Sequence, residues 1–278
     1  MTCTALVAFA LNSLLCRAAL GSGLADPQTF TLVRLGSGAA ARWVLSRFSR
    51  ETSTVAGRLG LQWWGSPLAL FTYALAFSLA YADLSAGTGA FVVFGCVQVT
   101  MIGSDLWSGH RLRWRETTGL LLALAGLGWL TRPGAESPNP RAVALMALSG
   151  LAWGIYSLRG RTGGPPIRST AETFLAATPL ALLASGVSWS SAHATPGGLA
   201  LAAISGAVTS GLGYVAWYAA LPSLTATRAS ILQLAVPPLA AAMGILFLGE
   251  TVSTRLLIAA PLILGGIAIA VYPTGRDG

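Results

Sequence analysis

From its first residues the chain alternates long apolar runs with short polar breaks, and the runs recur ten times. They cover 3–21, 28–46, 63–82, 86–107, 116–131, 141–158, 168–188, 198–221, 225–248 and 254–272. A hydrocarbon core about 30 Å thick needs roughly 20 apolar residues in a helix rising about 1.5 Å per residue. The runs approach that length, so the pattern predicts an all-α integral membrane protein with ten transmembrane helices. The tightest joins fall near Asp83 and near Pro222. The first run's apolar stretch from Cys3 to Leu15 has no basic residue before it, and Arg17 follows it, the reverse of a secretory signal. It is read as a retained membrane helix.

The same pattern repeats internally at an offset of 140 residues. Leu84 falls with Leu224, Ala86 with Ala226, Gly109 with Gly249, Arg115 with Arg255, Gly126 with Gly266 and Pro133 with Pro273. Identity between the halves is low, so the argument rests on five apolar runs recurring in register. Five crossings per half is an odd number, which forces the second half to enter from the opposite side. The expected organisation is therefore two inverted five-helix repeats, residues 1–135 and 136–278, around a central cavity. Inverted repeats with a site at their interface are a recurring design of secondary transporters.

Composition sharpens this picture. Hydrophobic residues make up 54% of the chain and charged residues 9%, against about a quarter charged in an ordinary soluble domain. A net charge of +8 raises nucleic acid as a partner. All the basic residues are arginine, however, and most stand between apolar runs, as topology-setting charges do. Twelve of them (Arg42, Arg47, Arg50, Arg58, Arg111, Arg113, Arg115, Arg159, Arg161, Arg168, Arg228 and Arg276) fall on the side of the N-terminus. Four (Arg17, Arg132, Arg141 and Arg255) fall on the other. Nucleic acid is thereby set aside, and both termini are expected in the cytoplasm of a bacterial inner-membrane protein. Trp43, Trp63, Trp64, Trp107, Trp114, Trp129 and Trp189 fall near predicted helix ends, where indoles settle at the membrane surface. Cys3, Cys16 and Cys96 all lie in apolar runs without metal-ligand spacing, so they are read as small buried hydrophobes.

Several stretches resemble the drug/metabolite transporter superfamily, specifically its EamA-type ten-helix exporters. Gly213 to Leu221, Ala226 to Ser230, Pro237-Pro238 and Leu248-Gly249-Glu250 are similar to the family's eighth and ninth helices. Phe77 to Phe94 is similar to the matching stretch of the first half, and Phe30 to Arg34 to the arginine-bearing second helix. The first half departs in having Val97-Gln98 and Gly109-His110 where the second has Pro237-Pro238 and Gly249-Glu250. The resemblance implies ten helices around a central cavity, alternating access, and export of amino acids, other metabolites or drugs. Characterised relatives in that family include aromatic amino-acid exporters.

Polar side chains at mid-membrane depth are costly unless paired or wet, which makes them functional candidates. Asn12, Tyr73, Gln98 and Gln233 stand near the midplane of their runs; the competing role is to join neighbouring helices. Trp153 with Tyr156, and Tyr214 with Trp217, pair at helical spacing and suit stacking on an apolar or aromatic substrate. For Trp217 the competing role is an interfacial belt. Arg34 stands about 10 Å into its helix from Pro27, at about 1.5 Å per residue. It either binds a substrate carboxylate, pairs with Glu172, or snorkels to the surface. Gly206, Ser210 and Tyr214 share one helical face that allows close packing. Pro67, Pro179, Pro237, Pro238 and Pro261 fall inside runs and permit kinks.

No catalytic, metal or cofactor motif emerges. His110 and His193 are in loops, and no HExxH or phosphate loop is present. Ser149-Gly150 has no intramembrane histidine to activate it. Asp26, Asp83, Asp105, Glu116, Glu136, Glu250 and Asp277 fall in loops or at helix ends and only Glu172 within a helix, near its start, so proton coupling and facilitated export both stay open. The expected partners are a small-molecule substrate and the bilayer, with the chain a monomer or weak homo-oligomer. The alternatives to an exporter are a lipid-carrier flippase, an accessory membrane subunit and, less favoured, an intramembrane enzyme.

Overall fold

The computed structural model describes residues 2–48, 63–109, 114–131, 137–161, 166–187, 189–224, 226–251 and 253–271. Ten helices occupy nearly all of them: α1 (Thr2–Leu20), α2 (Pro27–Phe48), α3 (Gly65–Tyr81), α4 (Ala86–Trp107), α5 (Trp114–Thr131), α6 (Pro140–Arg161), α7 (Pro166–Val187), α8 (Pro196–Ser223), α9 (226–248) and α10 (Thr254–Val271). Among the described residues α1, α4, α6, α7 and α8 are long and apolar enough to cross a bilayer, and α3, α5, α9 and α10 hold shorter apolar stretches. The sequence of α2 is interrupted by Arg34, Arg42 and Arg47.

The helix starts follow from local chemistry. Proline opens α2, α6, α7 and α8, where its missing N–H has no helical partner to lose and its fixed φ suits the first turn. Asp26 Oδ1 accepts the Thr29 N–H at 2.9 Å, Ser85 Oγ accepts from Thr88 at 3.3 Å and Thr195 Oγ1 from Gly198 at 3.1 Å. Beyond the end of α9, Gly249 sits at φ +64°, a left-handed cap that favours glycine.

Pro179 and Pro261 lie inside α7 and α10. Pro67 does not kink its helix as expected, because it falls in the first turn of α3, where no helical hydrogen bond is lost. Pro237 and Pro238 follow a 3₁₀ turn at Gln233–Ala235 and restart α9 as a regular helix. In α8 an α-helical start gives way to a π-helical segment, Ser205–Leu212, before the α form resumes at Gly213.

Helix α5 packs on α10, α2 on α7 and α4 on α9, while α3 lies on α6 and α1 on α8. Replacing each helix by the one five places along maps these contacts onto one another. The arginines used for orientation are only partly described: Arg50, Arg58, Arg111, Arg113, Arg132 and Arg276 lie outside the described residues. Arg42 leaves that count, because the structure buries it completely within α2. Trp43, Trp64, Trp107, Trp114 and Trp189 are exposed near helix ends.

The end of the bundle opposite the N-terminus is held by two polar ties. In the first, Arg17 Nε meets Glu250 Oε1 at 3.1 Å, and its Nη1 donates to the Tyr81 and Ala82 carbonyls at 3.2 and 3.0 Å. Both Glu250 oxygens accept the Ala86 N–H that opens α4. In the second, Asp26 Oδ2 accepts the His193 N–H at 2.9 Å, beside a short bridge between Ala25 and Ala194. Burial opposes the charge on Asp26, but the donors on Thr29 and His193 outweigh it and hold its carboxyl below the ordinary 3.8.

Candidate functional site

Helices α1, α3, α6 and α8 bring five buried aromatic rings together. Phe9 meets Trp153, Tyr214 and Trp217 edge-on at centroid distances of 5.3, 5.8 and 5.7 Å. Trp153 also lies 4.9 Å from Tyr73 and 4.7 Å from Tyr214. Offset and edge-on pairs are the favoured arrangements for such rings. The space among Phe9, Ser13, Tyr73, Phe77, Phe94 and Trp153 amounts to about 10 Å³, scarcely enough for one water. Where an open cavity was expected, the rings pack against one another and close this space.

All nine residues singled out from the sequence are buried: Asn12, Arg34, Tyr73, Gln98, Trp153, Tyr156, Tyr214, Trp217 and Gln233. Trp217 is therefore no interfacial belt residue; its indole N–H points to Ser157 Oγ at 3.4 Å. Seven of the nine gather at the ring cluster: Arg34, Tyr73, Tyr214, Trp153, Tyr156, Trp217 and, through Tyr73, Asn12. Gln233 touches the cluster from behind, accepting the Trp153 indole N–H at 2.7 Å. Gln98 stands apart and donates to the Ser230 carbonyl, which ties α4 to α9.

Arg34 is the polar centre. Its Nη2 donates to the Tyr73 and Tyr214 hydroxyls at 3.1 and 2.9 Å, and its Nε to Ser210 Oγ at 3.1 Å. The guanidinium also lies 5.2 Å over the Tyr73 ring. The sequence alternative of a pair with Glu172 does not hold. Glu172 instead accepts from Arg168 at 3.1 Å, one turn back on α7, where the i,i+4 spacing already places an opposite charge. Nor does Arg34 snorkel, being 1% exposed.

The π segment of α8 supplies much of this arrangement. Ser205 and Thr209 both donate to Asn12 Oδ1, at 2.7 and 3.2 Å, and Ser210 reaches Arg34. Gly206 lets the two helices touch, since a Cβ there would overlap the Arg34 carbonyl and the Ser37 hydroxyl. π-turns of this kind are frequent at functional sites. Sequence reading identified Gly206, Ser210 and Tyr214 as one close-packing face but missed Phe9 and Arg42. Arg42 had one available signal, standing eight residues after Arg34 and so nearly on the same side of the helix.

A second space, about 670 Å³, lies between α2 and α7. Gly36, Ala39, Ala40, Ala171, Arg47, Arg168 and Glu172 line it, together with the exposed Trp43 and Leu175.

Comparison with known proteins follows the same lines. The EamA-like transporter family model matches residues 140–272. An uncharacterized protein of Pseudomonas aeruginosa is 48% identical over 273 residues, covering 98% of this chain and 94% of that protein. An uncharacterized transporter of Archaeoglobus fulgidus is 26% identical over 206 residues, 72% of each chain. A crystal structure of a protein 21% identical matches with a TM-score of 0.72 over 98% of both chains, which shows a shared fold.

Proposed function

We propose that this chain, whose residues 140–272 match the EamA-like transporter family model, exports small metabolites that carry a carboxylate on an apolar or aromatic body. The match supports a multi-pass membrane transporter of small molecules; direction and substrate are the further steps. Amino acids, neutral and aromatic ones included, are the first class to test. The observation that carries the reading is Arg34, a buried cation hydrogen-bonded only to neutral groups and set against a wall of rings. A guanidinium is matched to a carboxylate by its paired N–H donors, and the rings offer apolar area and stacking.

Transport by alternating access fits this centre. Inversion of residues 1–135 onto 136–278 would relate the two ends of the bundle, with the substrate held where the halves meet, in a bacterial inner membrane with both termini in the cytoplasm. The ties of Arg17 to Glu250 and Asp26 to His193 then act as the outer closure, and the filled centre is an occluded arrangement. Purified protein in proteoliposomes, given a panel of radiolabelled neutral and aromatic amino acids and related carboxylates, tests the reading. Saturable flux lost on Arg34→Gln supports it. Absence of flux for every carboxylate on the panel overturns it.

The α2–α7 space favours one alternative, movement of a lipid-linked substrate. Its exposed Trp43 and Leu175 and its arginines are what an anionic headgroup entering from the side would need. Scrambling of a fluorescent anionic lipid that depends on Arg47 and Arg168 would favour this second reading over the first.

A further inference from the structure

Arg34 is not alone in the bundle. Arg42, two helical turns further along α2, is fully buried and touches the same residue of α8. Its Nη2 donates to the Ser210 carbonyl while Arg34 Nε takes the Ser210 hydroxyl. Two guanidiniums thus converge on one serine inside the membrane. The other contacts of Arg42 are neutral: the Gly38 carbonyl at 3.1 Å, the Phe174 ring 3.5 Å beneath it and the Tyr214 ring at 5.6 Å. Its Nε has no hydrogen-bond partner. Among the described residues neither guanidinium is bonded to a carboxylate, and the Glu172 carboxylate on α7 is engaged by Arg168.

Two buried like charges repel one another, and burial weakens the screening that water would supply. Among the described residues no carboxylate offsets them, which leaves the position of a counter-charge to a bound anion. We infer that the site is built for a substrate of net negative charge, an aromatic organic acid lacking an ammonium group, with Arg34 and Arg42 as its counter-charges. An ammonium would face two cations. No carboxylate among the described residues stands at the site to receive it, and of the nearby amide oxygens Asn12 Oδ1 already accepts from Ser205 and Thr209 and Gln233 Oε1 from Trp153. The ring faces remain as a weak alternative. Removing the ammonium removes the conflict and leaves the carboxylate and the ring in place. This inference rests on the reading of the ring-lined centre as the substrate site.

The test uses a matched pair of probes, 3-phenylpropionate and phenylalanine, which differ by the ammonium group alone. Binding of each to the detergent-purified full chain is measured by calorimetry, with flux of each in proteoliposomes. The expected result is at least tenfold tighter binding of 3-phenylpropionate by the native protein. Arg42→Gln should shrink that preference to threefold or less, and Arg42→Lys, which keeps the charge, should retain most of it. Equal or tighter binding of phenylalanine by the native protein overturns the inference while leaving the substrate site standing. A native preference that survives Arg42→Gln removes Arg42 from the inference. If neither probe binds nor crosses, the reading of the centre as a carboxylate site falls first. The native-protein comparison decides the matter even where the Gln variant fails to fold.

Discussion

Glu250 to Ala is the change that bears most directly on how the protein moves. The carboxylate makes one ion pair with Arg17 and accepts the Ala86 N–H with both oxygens, so a single truncation unties α1, α4 and the turn after α9 together. A hydrogen bond to a charged group is worth about 1.5–3 kcal/mol. A surface ion pair adds at most about 1 kcal/mol, and these side chains are 25% and 14% exposed, which puts this pair near that upper end. The loss is then about 2–4 kcal/mol, and every 1.4 kcal/mol or so is tenfold in an equilibrium. If the tie breaks when the outer side opens, its removal shifts the balance toward the open form by roughly 30-fold or more. The assay places a cysteine at Ser13, which lines the central space, in a chain whose own cysteines are replaced by serine. A membrane-impermeant maleimide added from outside should label it at least tenfold faster in Glu250→Ala, with Glu250→Gln in between. Labelling within twofold of the parent, in protein that still melts cooperatively, would show that this end of the bundle is not a gate.

Three further outcomes are expected. Trp153→Ala should reduce flux strongly without preventing membrane insertion and should lower stability by about 3–5 kcal/mol, the usual cost of emptying a large core site; unchanged flux would remove Trp153 from the substrate wall. Gly206→Ala should destabilise by about 1–3 kcal/mol through overpacking, because the new methyl meets the Arg34 backbone carbonyl as well as the Ser37 hydroxyl; an unchanged thermal midpoint would contradict the close approach of α2 and α8. Asp26 is held below 3.8, so its contribution is complete above that pH and is lost as the pH falls through the lower, folded value. The thermal midpoint should thus drop more steeply below about pH 3.8 in the parent than in Asp26→Asn.

The ten helices were legible in the sequence because bilayer thickness dictates the length of an apolar run. Arg34 was legible for the related reason that a charge inside such a run must be explained. Its partners were not: Ser210 and Tyr214 stand 176 and 180 residues away, and only folding brings them together. Phe9 gave no signal, being one apolar residue among many in α1. Arg42 was hidden by the argument that worked elsewhere, since an arginine near the end of a run is ordinarily a topology charge. The space among the rings is filled for another reason. Rings chosen as substrate contacts make equally good contacts with one another when nothing lies between them.

The π segment of α8 also sets a matter of phase. Each residue there bonds five positions along instead of four, so the helix carries about one residue more than a plain α-helix would need to cover the same rise. The side chains after Gly213 are therefore turned by about 100° relative to an uninterrupted helix, one residue's share of a turn. Tyr214 and Trp217 meet Arg34 and Phe9 only in that turned setting. Deleting the half-exposed Val208 would touch none of the site residues, yet it would let α8 relax to the ordinary winding and swing both rings off the centre. The alignment of the site is thus stored partly in chain length, as a single added residue whose own side chain faces away.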